Sequence, residues 1–286
     1  MKKYIVCCAA SLLLITSCSK SPQKAREELT KIGIEFTDEG FNTAIKKKDK
    51  IAIDLFLDAE HDASYVLADA IKIYAKEENE DISLVKELID NSSNFNVRHK
   101  SLFGYDSALG EAVNRENIEI IKLLLKKGAD PDFNDGEALK NALLNKKNLK
   151  ITKMLLDAGA DINIKDRDES SLLYNALIDK HLPTSEKDEE IDVVQFLLDR
   201  GVDVNDGEDG NSDSLVYAVY DENLELIETL LKKGANINST WQDPNSMVTF
   251  FGGTPRKYTL YEMAEGNSEV IAILEKYSKQ QNQAKK

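Results

Sequence analysis

NIEIIKLLLKKGADPD, residues 117–132, reads as one apolar helix, a stop and a turn. Ile118, Ile120, Ile121, Leu123, Leu124 and Leu125 leave only a thin polar stripe, Glu119, Lys122 and Lys126. A helix apolar nearly all round, with one polar line, is packed on several sides and meets water along one edge. Gly128 then ends it, because glycine enters the left-handed region without a Cβ penalty. Ala-Asp-Pro-Asp follows, and Asp favours turns by bonding local backbone.

The unit recurs. Gly128 has counterparts at Gly159, Gly201 and Gly234, with Glu60, Ser92 and Ser278 at the same place in weaker copies. The intervals are 32, 36, 31, 42, 33 and 44 residues. A period near 33 marks stacked supersecondary units. The polar stripe recurs as Ser83/Lys86/Asp90, Lys150/Lys153/Asp157, Asp192/Gln195/Asp199 and Glu225/Glu228/Lys232. Upstream of each long helix lies a shorter apolar segment: Ser107–Val113, Glu137–Leu144, Ser171–Ile178, Asp213–Tyr220 and Thr259–Ala264. Each starts on a polar residue and carries a late alanine, namely Ala112, Ala142, Ala176, Ala218 and Ala264, which lets paired helices approach closely.

This pattern resembles the ankyrin repeat: a short inner helix, a longer outer helix ending LLxxGAD, then a hairpin finger. The resemblance runs from about Phe36 to Tyr277 and implies an all-α solenoid of about six to seven repeats. The family's Thr-Pro-Leu-His phrase is degraded. Gly110, Lys140, Tyr174 and Val216 stand where its histidine would be. The resemblance also implies a protein that binds other proteins through its fingers and inner helices, which in that family form a concave face.

The N-terminus sets the expected compartment. Lys2 and Lys3 precede an apolar run from Tyr4 to Ile15, then Thr16, Ser17 and Cys18. That order makes a secretory signal peptide, too short to read as a stable membrane span. Ile15-Thr16-Ser17-Cys18 resembles the bacterial lipobox, which implies cleavage before Cys18 and acylation of that residue. Ser19 in place of Asp then implies the periplasmic face of the outer membrane. The expected organisation is leader 1–17, lipidated tether 18–24, repeat domain 25–278 and polar tail 279–286. Ser21-Pro22 should start a capping helix lined by Ala25, Leu29 and Ile32, and Thr37 should cap the next.

Two insertions interrupt the period. Ala176 to Ile191 widens the gap between inner and outer helices of the fifth repeat. Ser239 to Pro255 extends the last finger and holds Trp241, Phe250 and Phe251. Those aromatics have two readings, burial against the terminal repeat or contact with a partner.

Composition and motifs exclude several functions. The 286 residues carry a net charge of −14, which removal of Lys2 and Lys3 takes to −16. A strongly acidic chain argues against nucleic acid, whose phosphates need Lys and Arg. Cys7, Cys8 and Cys18 are the three cysteines, so none remains in the body to bridge or bind metal. His61, His99 and His181 fall in separate turns and read as solvated loop residues. No catalytic triad, zinc motif or phosphate loop is visible, so neither an enzyme nor a cofactor is expected. The acidic run from Asp203 to Gly210 fails the calcium-loop spacing, with Ser214 or Val216 where the bidentate Glu belongs.

The expectation is therefore a monomeric, lipid-anchored interaction module. The fingers carry Asp130, Asp132, Asp135, Asp161, Asp166, Asp168, Asp203, Asp206 and Asp209. Stacking should align them into an acidic ridge for a basic periplasmic or secreted protein, the role of an inhibitor or immunity protein. Two other readings stay open: the Asp residues only shape turns, or the chain is an envelope scaffold or a holder for a periplasmic enzyme.

Overall fold

A computed structural model describes residues 21–75, 81–101, 104–145, 148–165, 170–178, 193–205, 207, 213–242 and 256–284. They fall in two compact units, one up to Asp130 and one from Pro131 onward. The fold class is the one expected, an all-α array of repeats.

The first unit opens with α1 (Pro22–Lys31), which places Pro22 in the first turn and packs on α3. Ala25 and Leu29 are buried, but Ile32 is 51% exposed, because the helix ends at Lys31 and Ile32 lies past its last turn. Three helix pairs follow: α2 (Asp38–Lys47) with α3 (Lys50–Asp58), α4 (Leu67–Tyr74) with α5 (Ser83–Asp90), and α6 (Ala108–Asn114) with α7 (Ile118–Lys126). Inner helix α4 packs on α2 and α6. Before α6 a finger forms an antiparallel hairpin, β1 (His99–Ser101) against β2 (Gly104–Asp106), with His99 opposite Asp106.

The second unit pairs α8 (Phe133–Lys140), which runs into a π turn at Asn141–Asn145, with α9 (Leu149–Asp157). Then come α10 (Leu172–Ile178) with α11 (Val193–Asp199), α12 (Ser214–Tyr220) with α13 (Leu224–Lys232), and α14 (Leu260–Met263) with α15 (Ser268–Ala284). A second hairpin, β3 (Thr240–Gln242) with β4 (Lys257–Thr259), precedes α14. The first insertion lies almost wholly outside the described residues, as does most of the second. Helix α15 runs to Ala284, so Ser278 is no stop and Gln280 to Ala284 continue the helix. Nothing in Lys276-Tyr277-Ser278-Lys279 supplies the glycine that ends the earlier copies.

Caps explain where the helices begin. Thr37, Ser107 and Thr259 each accept the backbone N–H three residues on, opening α2, α6 and α14. Buried Asp213 caps α12 through Leu215 N–H (2.8 Å) and Val216 N–H (3.1 Å), and also accepts the Ser239 hydroxyl at 2.6 Å. Outer helices use Asp49, Asn117, Asn148, Asn223 and Asn267 in the same way. Segment Phe133–Lys140 begins differently: Asn134, Asp135 and Gly136 have φ of 59°, 60° and 65°, a left-handed turn that Asn, Asp and Gly tolerate best. The right-handed helix starts after it, at the expected Glu137.

The glycine stops are left-handed residues. Gly128, Gly159, Gly201 and Gly234 have φ between 79° and 98°. Glu60 holds the same conformation at 57°. Ser92 does not; its hydroxyl donates to the Leu88 carbonyl at 2.8 Å instead. A second left-handed residue reverses the chain inside several pairs: Lys48 (56°), Glu116 (53°), Glu222 (52°) and Gly266 (94°). Three of these carry a Cβ in a region that costs L-residues roughly 1–2 kcal/mol.

Apolar burial holds neighbouring pairs together. Ile120, Ile121 and Leu124 of α7 are fully buried, and burying each such side chain contributes about 1.5–3 kcal/mol. Among the described residues the polar stripe is exposed save for half-buried Lys86 and Glu228, and it is partly paired between outer helices: Lys86–Glu119 at 2.6 Å and Asp90–Lys127 at 2.7 Å in the first unit. In the second unit Glu228–Lys276 lies at 2.9 Å. Such exposed pairs contribute about 0–1 kcal/mol each, so they set register and leave stability to the core. Ala112, Ala142 and Ala218 are fully buried and Ala264 nearly so, as close approach requires; Ala176 is half-buried.

Two substitutions separate the glycine stops from the strained reversals. A Cβ at Gly234 meets no atom within 4 Å, so Gly234→Ala should cost only the conformational penalty, about 1–2 kcal/mol. Glu222→Gly should stabilise by about 0.5–1 kcal/mol, the relieved strain less the entropy of glycine. Urea unfolding of both variants measures the two signs.

Candidate functional site

The fingers share an acceptor-apolar-acceptor phrase: Asp62-Ala63-Ser64, Asn94-Phe95-Asn96, Asp130-Pro131-Asp132, Asp161-Ile162-Asn163, Asp203-Val204-Asn205 and Asn236-Ile237-Asn238. Within most fingers the first side chain accepts the N–H of the third residue. Asp161 takes Asn163 N–H at 2.8 Å, Asp203 takes Asn205 N–H at 2.9 Å and Asn236 takes Asn238 N–H at 3.1 Å. Asn94 does the same for Asn96 at 2.9 Å, and Asp62 for Ser64 at 2.9 Å.

The third side chain reaches into the next finger. In the second unit Asp132 Oδ1 accepts Asp161 N–H, Asn163 Oδ1 accepts Asp203 N–H and Asn205 Oδ1 accepts Asn236 N–H, all at 2.8 Å. In the first unit Asn96 Oδ1 accepts Asp130 N–H at 2.9 Å. Each rung answers a backbone N–H that would otherwise have only water for a partner. Every finger so bonded is tied to its neighbour in sequence.

Asp62 begins the ladder with a denser knot. Its Oδ1 accepts Ser64 N–H, Ser64 Oγ at 2.5 Å and Ser93 N–H at 3.2 Å, while its Oδ2 accepts the Ser93 hydroxyl. Ser64 Oγ in turn accepts Asn94 N–H at 2.9 Å. Burial pushes the carboxyl up, but the hydrogen bonds from Ser64 and Ser93 outweigh it and hold its pKa at about 2.

The expected ridge residues sort as follows. Asp161 and Asp203 are exposed and lie on successive rungs of one ladder. Asp132 is half-buried and bonds the Asp161 backbone, while Asp130 is exposed at the end of the first unit's ladder. Asp135 is exposed on the left-handed turn. Asp166, Asp168, Asp206, Asp209, Phe250, Phe251 and Cys18 lie outside the described residues. Trp241 is half-buried against Tyr258, ring centroids 5.6 Å apart, in the β3–β4 hairpin.

Two histidines depart from the expectation of solvated loops. His61 sets its ring edge-on to Phe36, Phe41 and Phe56, with centroids 4.7, 5.5 and 5.4 Å away, and its side chain is 12% exposed. His99 is 7% exposed, beside Asn42, Tyr65 and Asp69. The ring of His61 folds inward from its turn onto the three phenylalanines, and His99 is enclosed from strand β1; sequence spacing reveals neither. His181 lies outside the described residues. Among the described residues no three of His, Cys, Asp and Glu converge as ligands for a metal, and no helix is long and apolar enough to cross a membrane.

Residues 71–166 match the family model for ankyrin repeats, in three copies. They span helices α4 to α9. No curated protein matches the chain. The same caps, left-handed reversals and finger rungs occur outside the matched span, at Asp49, Asp62, Glu222 and Asn205.

Two measurements test the ladder. Asn163→Ala removes an acceptor and leaves Asp203 N–H without its rung, so it should cost about 1 kcal/mol, whereas Asp161→Asn keeps an acceptor and should stay within about 0.5 kcal/mol. The Asp62 carboxyl has a folded pKa below its unfolded value, so its contribution is present above about pH 4 and fades as pH falls toward about 2. Asp62→Asn should flatten that limb of the acid-unfolding curve, read by circular dichroism.

Proposed function

We propose that this chain is a lipid-anchored protein-interaction module of the bacterial envelope, docking a basic periplasmic or secreted protein on its acidic fingers as an inhibitor or immunity protein does. Ankyrin repeats are protein-binding modules, and that coarser role follows from residues 71–166. One observation carries the finer reading. The first position of a finger needs a side-chain acceptor for the N–H two residues on, and Asn94 and Asn236 supply one without charge where Asp161 and Asp203 stand in other fingers. Charge at Asp130, Asp161 and Asp203 is therefore surplus to the fold.

Surplus negative charge on exposed, rigidly held turns is what steers and orients a basic partner. The net charge of −14 points the same way. The segment from Lys2 to Cys18 supports delivery to the envelope and acylation at Cys18, and several acyl chains make detachment negligible at about 0.8 kcal/mol per buried methylene. The tether ahead of α1 is then only Ser19 to Ser21, because Pro22 to Lys24 form the first turn of that helix; it would hold the repeats near the bilayer, and Ser19 in place of Asp favours the outer membrane.

The combined substitution Asp130→Asn, Asp161→Asn and Asp203→Asn keeps the ladder and removes three charges. Capture of the partner by affinity purification from crosslinked cells should fall about ten-fold or more at low salt and less at high salt. Undiminished capture would sink the acidic-face reading. Separately, Cys18→Ser should move the protein from the membrane fraction to the soluble fraction and remove the mass of the acyl groups. Retention in the membrane would refute the anchor.

A further inference from the structure

A polar pocket of about 540 Å³ opens in the first unit. Helix α2 supplies Asp38, Glu39, Asn42, Thr43 and Lys46 to its wall, with Tyr65 and His99 opposite. Behind it stands Asp69 of α4. Asn42, His99 and Asp69 are 8%, 7% and 9% exposed, so three polar side chains are committed to one small buried cluster. Neither the apolar core nor the finger ladder needs them there.

The cluster leaves a buried acceptor unmet. His99 Nε2 lies 3.4 Å from Asn42 Nδ2 and 3.3 Å from Asp69 Oδ2. As an acceptor, Nε2 takes the Asn42 N–H and offers Asp69 nothing. As a donor it serves Asp69, and the Asn42 amide must turn its oxygen inward to share the same proton. Asn42 Oδ1 has no hydrogen-bond partner, and Asp69 Oδ2 has none of good alignment. Lys46 Nζ reaches Asp69 Oδ2 at 3.1 Å as an ion pair, from a side chain 55% exposed. With the amide placed as it is, Asn42 Oδ1 stays unmet even though Lys46 serves Asp69, and a buried acceptor left unmet costs about 1–3 kcal/mol.

Charge and shape name the missing piece. Asp38 and Glu39 on the wall and Asp69 behind it set three carboxylates near the Lys46 ammonium, with His61 Nε2 3.5 Å from Asp38. The Tyr65 ring, 39% exposed and 5.3 Å from the His99 ring, offers a flat aromatic wall. A planar cation with several N–H donors satisfies acceptors on its edge and stacks its face on an aromatic ring. We infer that this pocket takes the guanidinium of an arginine side chain carried by the basic partner, an assignment that rests on the partner reading above.

Titration calorimetry of the purified mature protein with N-acetyl-arginine amide tests it. Binding should weaken about ten-fold or more for the neutral isostere N-acetyl-citrulline amide, and several-fold in Glu39→Gln and Tyr65→Leu. Glu39 is an exposed helix position, so Glu39→Gln should keep the wild-type melting curve even where Tyr65→Leu does not. No heat with the arginine amide, or equal binding of the citrulline amide, overturns the inference. So does free arginine binding ten-fold tighter than the capped amide, because the occupant is then a small molecule. Partner capture that survives the three Asp→Asn changes but fails in Glu39→Gln supports the pocket and overturns the finger face. Capture lost with the finger variants, with no response to the arginine amide, overturns the pocket alone.

Discussion

A side-chain oxygen bonded to the backbone N–H of the next finger is the contact on which the repeat geometry depends. A helix pair can bury its apolar side against any flat neighbour. A finger cannot, because it is mostly backbone and turn, with polar groups that must be answered one by one. Asn96, Asp132, Asn163 and Asn205 answer them across the gap, within each unit, at 2.8–2.9 Å. Repeat spacing is thus fixed twice, by side chains such as Ile120 and Leu124 in the core and by the rungs at the edge.

Much of this was legible in the sequence. The thin polar stripe on residues 118–126 gave the outer helix and its exposed edge, and Gly128, Gly159, Gly201 and Gly234 gave the stops. Both follow from local periodicity and from glycine's backbone freedom, which act within a few residues. What local chemistry could not give was partnership. Asp161 reads as a turn-former because it bonds two residues on, yet its own N–H is held by Asp132, 29 positions earlier. The alternation of acceptor, apolar and acceptor residues was the available signal, since only a side chain with a distant job needs to recur beside one with a local job.

The left-handed reversals and the buried histidines were hidden for a related reason. Glu116 and Glu222 are ordinary helix-surface residues by type, and only the short link between antiparallel helices forces them to positive φ. His99 sits in a strand of three residues that no periodicity announces, and its burial arises from α2 and α4 closing around it. Sequence reasoning ranks residues by what they do locally. Here a second helix, far along the chain, decides what they touch.

The rungs also act as a ruler. Asp161 and Asp203 lie on successive steps of one ladder, and packed helices sit about 8–10 Å apart. Any surface that contacts both carboxylates must itself present matching groups at that interval. Within the second unit 29 residues separate Asp132 from Asp161 and 40 separate Asn163 from Asp203, yet each rung is the same length, so the chain between steps is free to lengthen while the graduation stays fixed.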